Sequence, residues 1–340
     1  MKNKIELVAF GELMLRLHAR QDRRFAQTDG YDAYYAGAEA NACVLLSRLG
    51  VGVDYVTILP DNDIARTGVR QLQGQGVATD HIVYRGEKLG VYFTEQGNGI
   101  RPTRVIYDRD GSSYARTGPG VVNWDVCLDG ASWFHWSGIA AAVSQSAADA
   151  TAEALTIARK KGLRISADFN YRTTLWKYGK HPREVMPGLL QHSSVAVADL
   201  DSAAVYFGIE TDPAASFEDR FGVCSAALRE KIPGLEVLGM SFRTPHGIQH
   251  GYFGALLYKG ECYFSTRHEL PFITDQIGSG DAFTAGMLYG LMRGLSPQLI
   301  IEHAAACGAL KQSIEGDWAL ITPTEVEQFI LHGSTGRIIR

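Results

Sequence analysis

Short apolar runs separated by amphipathic stretches limit what this chain can fold into more than any other feature. IELVAF (5–10), YVTIL (55–59), SWFHW (132–136), RISADF (164–169), VAVAD (195–199) and LEVLGMSF (235–242) each suit a strand buried on both faces. Between them the apolar residues shift to a helical period. After Gly37, residues Ala42, Leu45, Leu46 and Leu49 fall at i, i+3, i+4 and i+7, and Gly50 supplies a stop. From Ser144 to Gly162, residues Ala147, Thr151, Ala154, Leu155 and Ala158 share a face. There Ser144 suits the N-cap, and Arg159, Lys160 and Lys161 complement the negative end of the dipole. Parallel strands need crossovers, and crossovers are usually helical, so the alternation predicts an α/β fold with helices on both faces of a mostly parallel sheet.

Two stretches break the rhythm. Residues 12–36 are rich in Arg, Asp and Tyr, and residues 84–117 contain extended segments (GVYFTEQ, TRVIYDR) interrupted by Gly, Asn and Pro. They are expected to form antiparallel strands outside the main sheet, a lid over a site. The main domain then comprises 1–11, 37–83 and 118–340, with the lid at 12–36 and 84–117. No internal repeat or linker divides the chain further. A lid with apolar and aromatic residues on one face predicts a homodimer paired through it.

Composition narrows the function. Among 340 residues, 33 basic and 37 acidic side chains give a net charge of −4. No run of one sign offers a stripe for nucleic acid or an anionic membrane. The five cysteines are scattered, without a CxxC pair or metal-ligand spacing, and read as reduced thiols in a cytoplasm. No apolar run reaches the ~18 residues of a membrane span, and the first residues lack a secretory pattern.

The chemistry concentrates in ITDQIGSGDAFTAGMLYGLM (273–292), where Gly278, Ser279 and Gly280 lead into an apolar helix beginning near Asp281. Small residues at a helix start expose N–H groups at the positive end of the dipole, an anion hole. An aspartate beside it can take a proton, which suits phosphoryl transfer. Alone, Gly-Ser-Gly-Asp is equally a turn with a helix cap. No GxxxxGK[ST] occurs, and Phe283 stands where GxGxxG needs its last glycine, so a P-loop enzyme and a nicotinamide dehydrogenase both lose support.

DQIGSGD resembles the C-terminal signature D-x-x-G-[AG]-G-D of ribokinase-like (PfkB) carbohydrate kinases, with Ser279 in the small-residue slot. YAGAEANACVLLSRLG, Tyr35 to Gly50, resembles their N-terminal sugar-binding segment. Within the family the likeness is greatest to 2-keto-3-deoxygluconate kinases, and it runs from GELMLRL to GSTGRIIR. It rests on LGVYFTEQG (89–97), RPTRVIYDRDGSS (101–113), WFHWSGI (133–139), DFNYRTTLW (168–176) and IEGDWALITPTEVE (314–327).

The resemblance implies a ribokinase-like fold and ATP-dependent phosphorylation of the 6-hydroxyl of 2-keto-3-deoxygluconate. It implies Asp281 as base and Gly278, Ser279 and Gly280 as the anion hole. Gly37, Asn41, Tyr92, Tyr107, Arg109, Arg172 and Asp317 become substrate contacts. Asn170, Ser241 and Arg243, with Gly278 and Gly280, lie toward the nucleotide. ATP and Mg2+ are the implied cofactors, with room for a monovalent cation. An acid sugar needs a fixed cation, and Arg109 and Arg172, planar and always charged, are the expected carboxylate clamp.

Two places depart from the family pattern. In VADLDSAAVYFG, Asp199 takes an Asn slot and Ser202 an acidic slot associated with magnesium, leaving Asp201 as the nearest spare carboxylate, so no metal ligand is assigned. Arg243 and the turn around Gly247 replace a glycine-rich phosphate loop. Competing functions are a kinase of another acid sugar, a ketose or a nucleoside, and a non-catalytic sugar-binding protein on the same fold.

Overall fold

The computed structural model describes residues 4–97, 101–246 and 249–333. The turn around Gly247 and all but the first residue of GSTGRIIR lie outside the described residues. The chain enters the main sheet with β1 (Leu7–Phe10), leaves it for β2 (Met14–Ala19) and β3 (Tyr31–Ala36), and returns through α1 (Ala38–Arg48) to β4 (Val53–Val56). A short parallel pair, β5 (Ile58–Leu59) and β6 (Val83–Tyr84), brackets α2 (Asp63–Gly74) and leads to a second excursion, β7 (Gly90–Glu95) and β8 (Arg104–Asp108). After α3 (Trp124–Cys127) come β9 (Trp133–Ser137), α4 (Gly138–Ala142), α5 (Gln145–Lys160) and β10 (Arg164–Asp168). Next follow α6 (Pro182–Leu190), β11 (Val195–Ala198), α7 (Leu200–Phe207), α8 (Phe217–Lys231) and β12 (Val237–His246). The chain then reverses through β13 (Gln249–Tyr258), β14 (Glu261–Phe264) and β15 (His268–Leu270), and ends on α9 (Ser279–Met292), α10 (Pro297–Lys311) and α11 (Pro323–His332).

The main sheet runs β14-β13-β12-β11-β10-β9-β1-β4, with β15 also on β13. From β12 to β4 every pairing is parallel, whereas β13 is antiparallel to β12, β14 and β15. Both faces are covered, as a parallel sheet requires: Leu7 and Ala9 of β1 enter one hydrophobic core, and Val8 and Phe10 enter the other. The helices start and stop where their chemistry dictates. The Ser144 side chain accepts from Ala147 N at the head of α5, and Gly50 and Gly162 end α1 and α5 at φ 84° and 75°. The run YVTIL is not one strand. Its partner β1 ends at Phe10, opposite Val56, so the chain beyond Thr57 turns aside to pair with β6 instead.

The two excursions meet in a four-stranded sheet, β3-β2-β7-β8. Its outer pairs are antiparallel as expected, but its central pair, β2 with β7, is parallel. Both central strands are outgoing arms, and β3 and β8 are the returns. Met14, Ala36 and Tyr92 form a small apolar cluster on one face of this sheet, with Val105 and Tyr107 packed on it. No helix among the described residues is long and apolar enough to cross a membrane.

Candidate active site

A cavity of about 600 Å³ lies between the carboxyl ends of the parallel strands and the small sheet. Ligands of open α/β sheets bind at that rim because the strands end there and the following helices begin. Asp168 at the end of β10 and Asn170 just beyond it, Asp199 after β11, and Ser241 and Arg243 on β12 line one side. Met14, Ala36, Tyr92 and Tyr107 face them from the small sheet. Gly37, Asn41, residues 276–281 and Asp317 close the wall between. All of the expected site residues except Arg109 therefore meet at one cavity.

The start of α9 has the features an anion hole needs. Gly278 is its N-cap at φ 85°, and a Cβ there would lie 2.1 Å from the Asp317 carbonyl oxygen, so only glycine fits. First-turn N–H groups have no partner within a helix. Of these, Ser279 N reaches back to Gln276 O at 3.3 Å, and the next two residues, Gly280 and Asp281, line the cavity. The Ser279 hydroxyl is spent on the loop: it donates to Gln276 O at 2.8 Å and accepts from Arg243 Nη2 at 2.5 Å. The serine in the small-residue slot thus anchors Arg243.

Asp281 sits in the first turn of α9, where Asn41 Nδ2 donates to its Oδ2 at 2.6 Å. Enclosure by protein raises its pKa to about 6, against the lowering effects of Asn41 and Arg172. A carboxylate so placed is charged at neutral pH yet basic enough to accept a hydroxyl proton. Two further acids stand close by, and the sequence reading did not single them out. Asp168, at the end of β10, is pushed well above the usual range by burial and then by Asp281. Glu39, in the first turn of α1, is raised to about 7 by burial, and Asp281 adds to the rise. An acid at the carboxyl end of a parallel strand was the available signal for Asp168. Glu39 carried none.

On the side of the small sheet, the Tyr92 and Tyr107 rings lie 5.7 Å apart, and the Tyr92 hydroxyl donates to Asp317. Arg172 is exposed on the cavity, its Nη1 donating to Tyr171 O at 3.0 Å. Asn170 takes φ 40°, a left-handed conformation that asparagine tolerates. Arg109 does not reach the cavity. It is 3% exposed, and its guanidinium binds the buried Glu12 carboxylate, which also accepts from the Ser112 hydroxyl at 2.5 Å. A buried carboxylate needs a cation, and Glu12 takes this one, so the expected two-arginine clamp reduces to Arg172. The DLDS segment is likewise braced. Asp199 caps α7, accepting from Ser202 N at 2.7 Å, while the buried Ser202 hydroxyl donates to Asp199 and accepts from Tyr171 N at 3.3 Å. Asp201 is exposed on α7 and does not line the cavity. Among the described residues, no group of three His, Cys, Asp or Glu could hold a metal by itself.

A basic carboxylate beside an amide-lined helix start, at the rim of a parallel sheet and under a small second sheet, defines a small-molecule phosphotransferase. The pfkB family carbohydrate kinase model matches residues 4–319, and the chain belongs to that family. It is 32% identical, over 97% of its length and 98% of the relative's, to 2-dehydro-3-deoxygalactonokinase of Haloferax volcanii. The crystal structure of 2-dehydro-3-deoxygluconokinase from Thermotoga maritima superposes with a TM-score of 0.91 at 31% identity, covering 96% of this chain and 99% of that one. A putative Ribokinase II from E. coli, in complex with ATP and Mg2+, shares the fold with a TM-score of 0.78 at 20% identity, over 96% and 99% of the two chains. The fold is ribokinase-like and the protein is a sugar kinase.

Proposed function

We propose that this kinase transfers the γ-phosphate of ATP to the 6-hydroxyl of 2-keto-3-deoxygluconate. The observation that carries the reading is the placement of Asp281. Held by Asn41, it stands between the amide-lined start of α9 and a cavity shared by Tyr92, Tyr107 and Arg172. Asp281 takes the hydroxyl proton as the oxygen attacks, and the N–H groups at Gly278 to Gly280 face the phosphoryl charge as it shifts. Arg172 supplies a cation for the sugar's carboxylate. Tyr92, Tyr107, Asn41, Gly37 and Asp317 shape the cavity around the hydroxyls. Asn170, Ser241 and the Ser279-anchored Arg243 stand on the side assigned to ATP. Magnesium fits this site only as a companion of the nucleotide, because the described residues offer no ligand cluster of their own; bound to phosphates and water, it would neutralise phosphate charge.

The Haloferax relative favours a second substrate, the C4 epimer 2-keto-3-deoxygalactonate. Cytoplasmic location and pairing of two copies through the small sheet belong to the same proposal. Pairing is supported by the two strands, β3 and β8, that form edges of that sheet, and by Ile106 on β8, 48% exposed. The test is ADP release with ATP, Mg2+ and each epimer, with the phosphorylated position read by NMR. Asp281→Asn is expected to keep sugar binding and lose about 10²–10⁴ in turnover. Turnover within about tenfold of the parent removes Asp281 as the base.

A further inference from the structure

Beneath the cavity lies a buried cluster of four charges, Arg16, Lys311, Asp275 and Asp317, of which only Asp317 lines the cavity itself. Arg16 on β2 is fully buried; its Nη1 donates to Asp317 Oδ2 at 2.8 Å and stands 2.7 Å from Asp275 Oδ2. Its Nε donates to Thr94 Oγ1 at 2.9 Å, its Nη2 lies 3.1 Å from His18 Nδ1, and its guanidinium sits 5.6 Å from the centroid of the Tyr34 ring. The second cation is Lys311, also fully buried at the end of α10. Its ammonium donates to the backbone carbonyls of Asp275 at 2.9 Å and Ile314 at 3.0 Å.

The two cations act on different segments that converge on one point. Lys311 ties the loop leading into the anion hole, at Asp275, to the loop after α10, at Ile314. Arg16 ties the small sheet to both loops through the carboxylates of Asp275 and Asp317. Asp317 then touches both halves of the site. Its carboxylate holds the Tyr92 hydroxyl, and its carbonyl oxygen packs against Gly278 so closely that a methyl group could not intervene. Burying two cations and two acids costs desolvation, and apolar residues of the same volume often fold as stably. What this cluster adds is geometry: Nε and Nη2, held at Thr94 and His18, fix the plane of the guanidinium, and Nη1 then stands between the two carboxylates.

We propose that Arg16 and Lys311 are positioning residues, internal counter-cations that hold the sugar-facing wall at Tyr92 and Asp317 in register with the anion hole at Gly278. Arg16 acts chiefly on the sugar side and Lys311 on the phosphoryl side. The inference rests on the reading of Asp281 and Gly278 to Gly280 given above.

The electrostatics agree. Burial works against the charge of Arg16, yet Asp317 and Asp275 hold its pKa above the ordinary value; burial pulls Lys311 below its own, opposed by Asp275 and Asp317. Asp281 is faced by Asn41 and Glu39 from α1, by Asp168 from β10 and Arg172 just beyond it, and by Asp317 and Lys311. Lys311 lowers the proton affinity of Asp281 and Asp317 raises it. Removing the lysine therefore shifts Asp281 toward higher pKa.

The test uses Arg16→Lys and Lys311→Met in the full chain, with whichever epimer the parent phosphorylates. Arg16→Lys keeps the charge but cannot meet both carboxylates and at the same time hold Thr94 and His18. It is expected to raise the sugar KM about tenfold while leaving the ATP KM within about twofold. Lys311→Met is expected to lower kcat about tenfold and to move the acid limb of the kcat–pH profile upward. Should Lys311→Met not fold, the pair Lys311→Met/Asp275→Asn, which removes one charge of each sign, carries the same kcat expectation. Folded variants with parental KM values, kcat and acid limb overturn the proposal, as does an equal loss for sugar and ATP. Asp281→Asn in parallel separates the two readings. Retained turnover there removes the base assignment, while the KM split of Arg16→Lys still judges the cluster.

Discussion

Asp281 titrates at about 6 in the folded chain, against an ordinary 3.8. Between those values the folded chain holds a proton that the unfolded chain has released, so stability falls as pH rises through that window. Above about pH 6 the penalty is complete, and the carboxylate is in the form that the proposed base role needs. Asp281→Asn should therefore be more stable than the parent at pH 8, by about 1–3 kcal/mol, with the difference vanishing below about pH 3. Thermal melts at the two pH values check this. A variant that melts below the parent at pH 8 contradicts the burial argument. Arg109 gives the opposite case. Arg109→Ala leaves Glu12 buried without its cation, and the expected loss in denaturant melts is about 3–5 kcal/mol. A variant with parental stability but weakened sugar binding would restore Arg109 to the substrate. This pair also marks how far single residues could be read in the sequence. Asp281 was legible because its neighbours Gly278 and Gly280 are adjacent in sequence. Arg109 was misplaced because Glu12, which claims it, lies 97 positions away.

Elements were legible where the signal is local. The i, i+3, i+4 pattern of α1, the Ser144 cap of α5 and the glycines that end both helices all reflect interactions within one or two turns. The parallel pairing of β2 with β7 was not, because Arg16 meets its partner Tyr92 only after two excursions have been brought together. Arg16 itself left a trace. In MLRLHA, Leu15 and Leu17 alternate with Met14, Arg16 and His18, which puts the arginine on the same strand face as a cavity residue. Its acids could not be named, since Asp317 lies 301 positions on. For α9 the decisive point is its first residue pair. Gly278→Ala demands a left-handed alanine and drives a methyl group into the Asp317 carbonyl. The loop must shift and take the N–H groups with it, so kcat should fall by about 10²–10³. Steady-state kinetics at saturating sugar and ATP measure this, and a variant within about threefold of the parent would show that the amide geometry does not limit transfer.

At the scale of the whole molecule, the site joins the two excursions to the rim of the main sheet, and under the proposed function its charge should decide which sugars it favours. Arg172 and Arg243 are the arginines on the cavity among the described residues, and Arg243 is tethered to Ser279. Under the proposed function Arg172 is the arginine left to meet the sugar's carboxylate. Because Arg172 is exposed, part of that attraction is screened by water and salt. A charge-assisted hydrogen bond is worth about 1.5–3 kcal/mol before that screening and an exposed ion pair up to about 1 kcal/mol, so a keto acid should exceed fructose in kcat/KM by roughly three- to thirtyfold. The two C4 epimers carry the same charge, and Arg172 cannot tell them apart; their ranking falls to the hydroxyl partners Asn41, Tyr92, Tyr107 and Asp317. Arg172→Lys should then reduce kcat/KM for both keto acids about equally and leave fructose almost unchanged, since an ammonium cannot reproduce the planar fork. The measurement is a set of kcat/KM values for both epimers and fructose on parent and variant, repeated at low and high salt. Acid preference should shrink as salt rises. A parent that phosphorylates fructose as efficiently as either keto acid would mean that Arg172 does not read the substrate's charge, and the enzyme would be a neutral-sugar kinase.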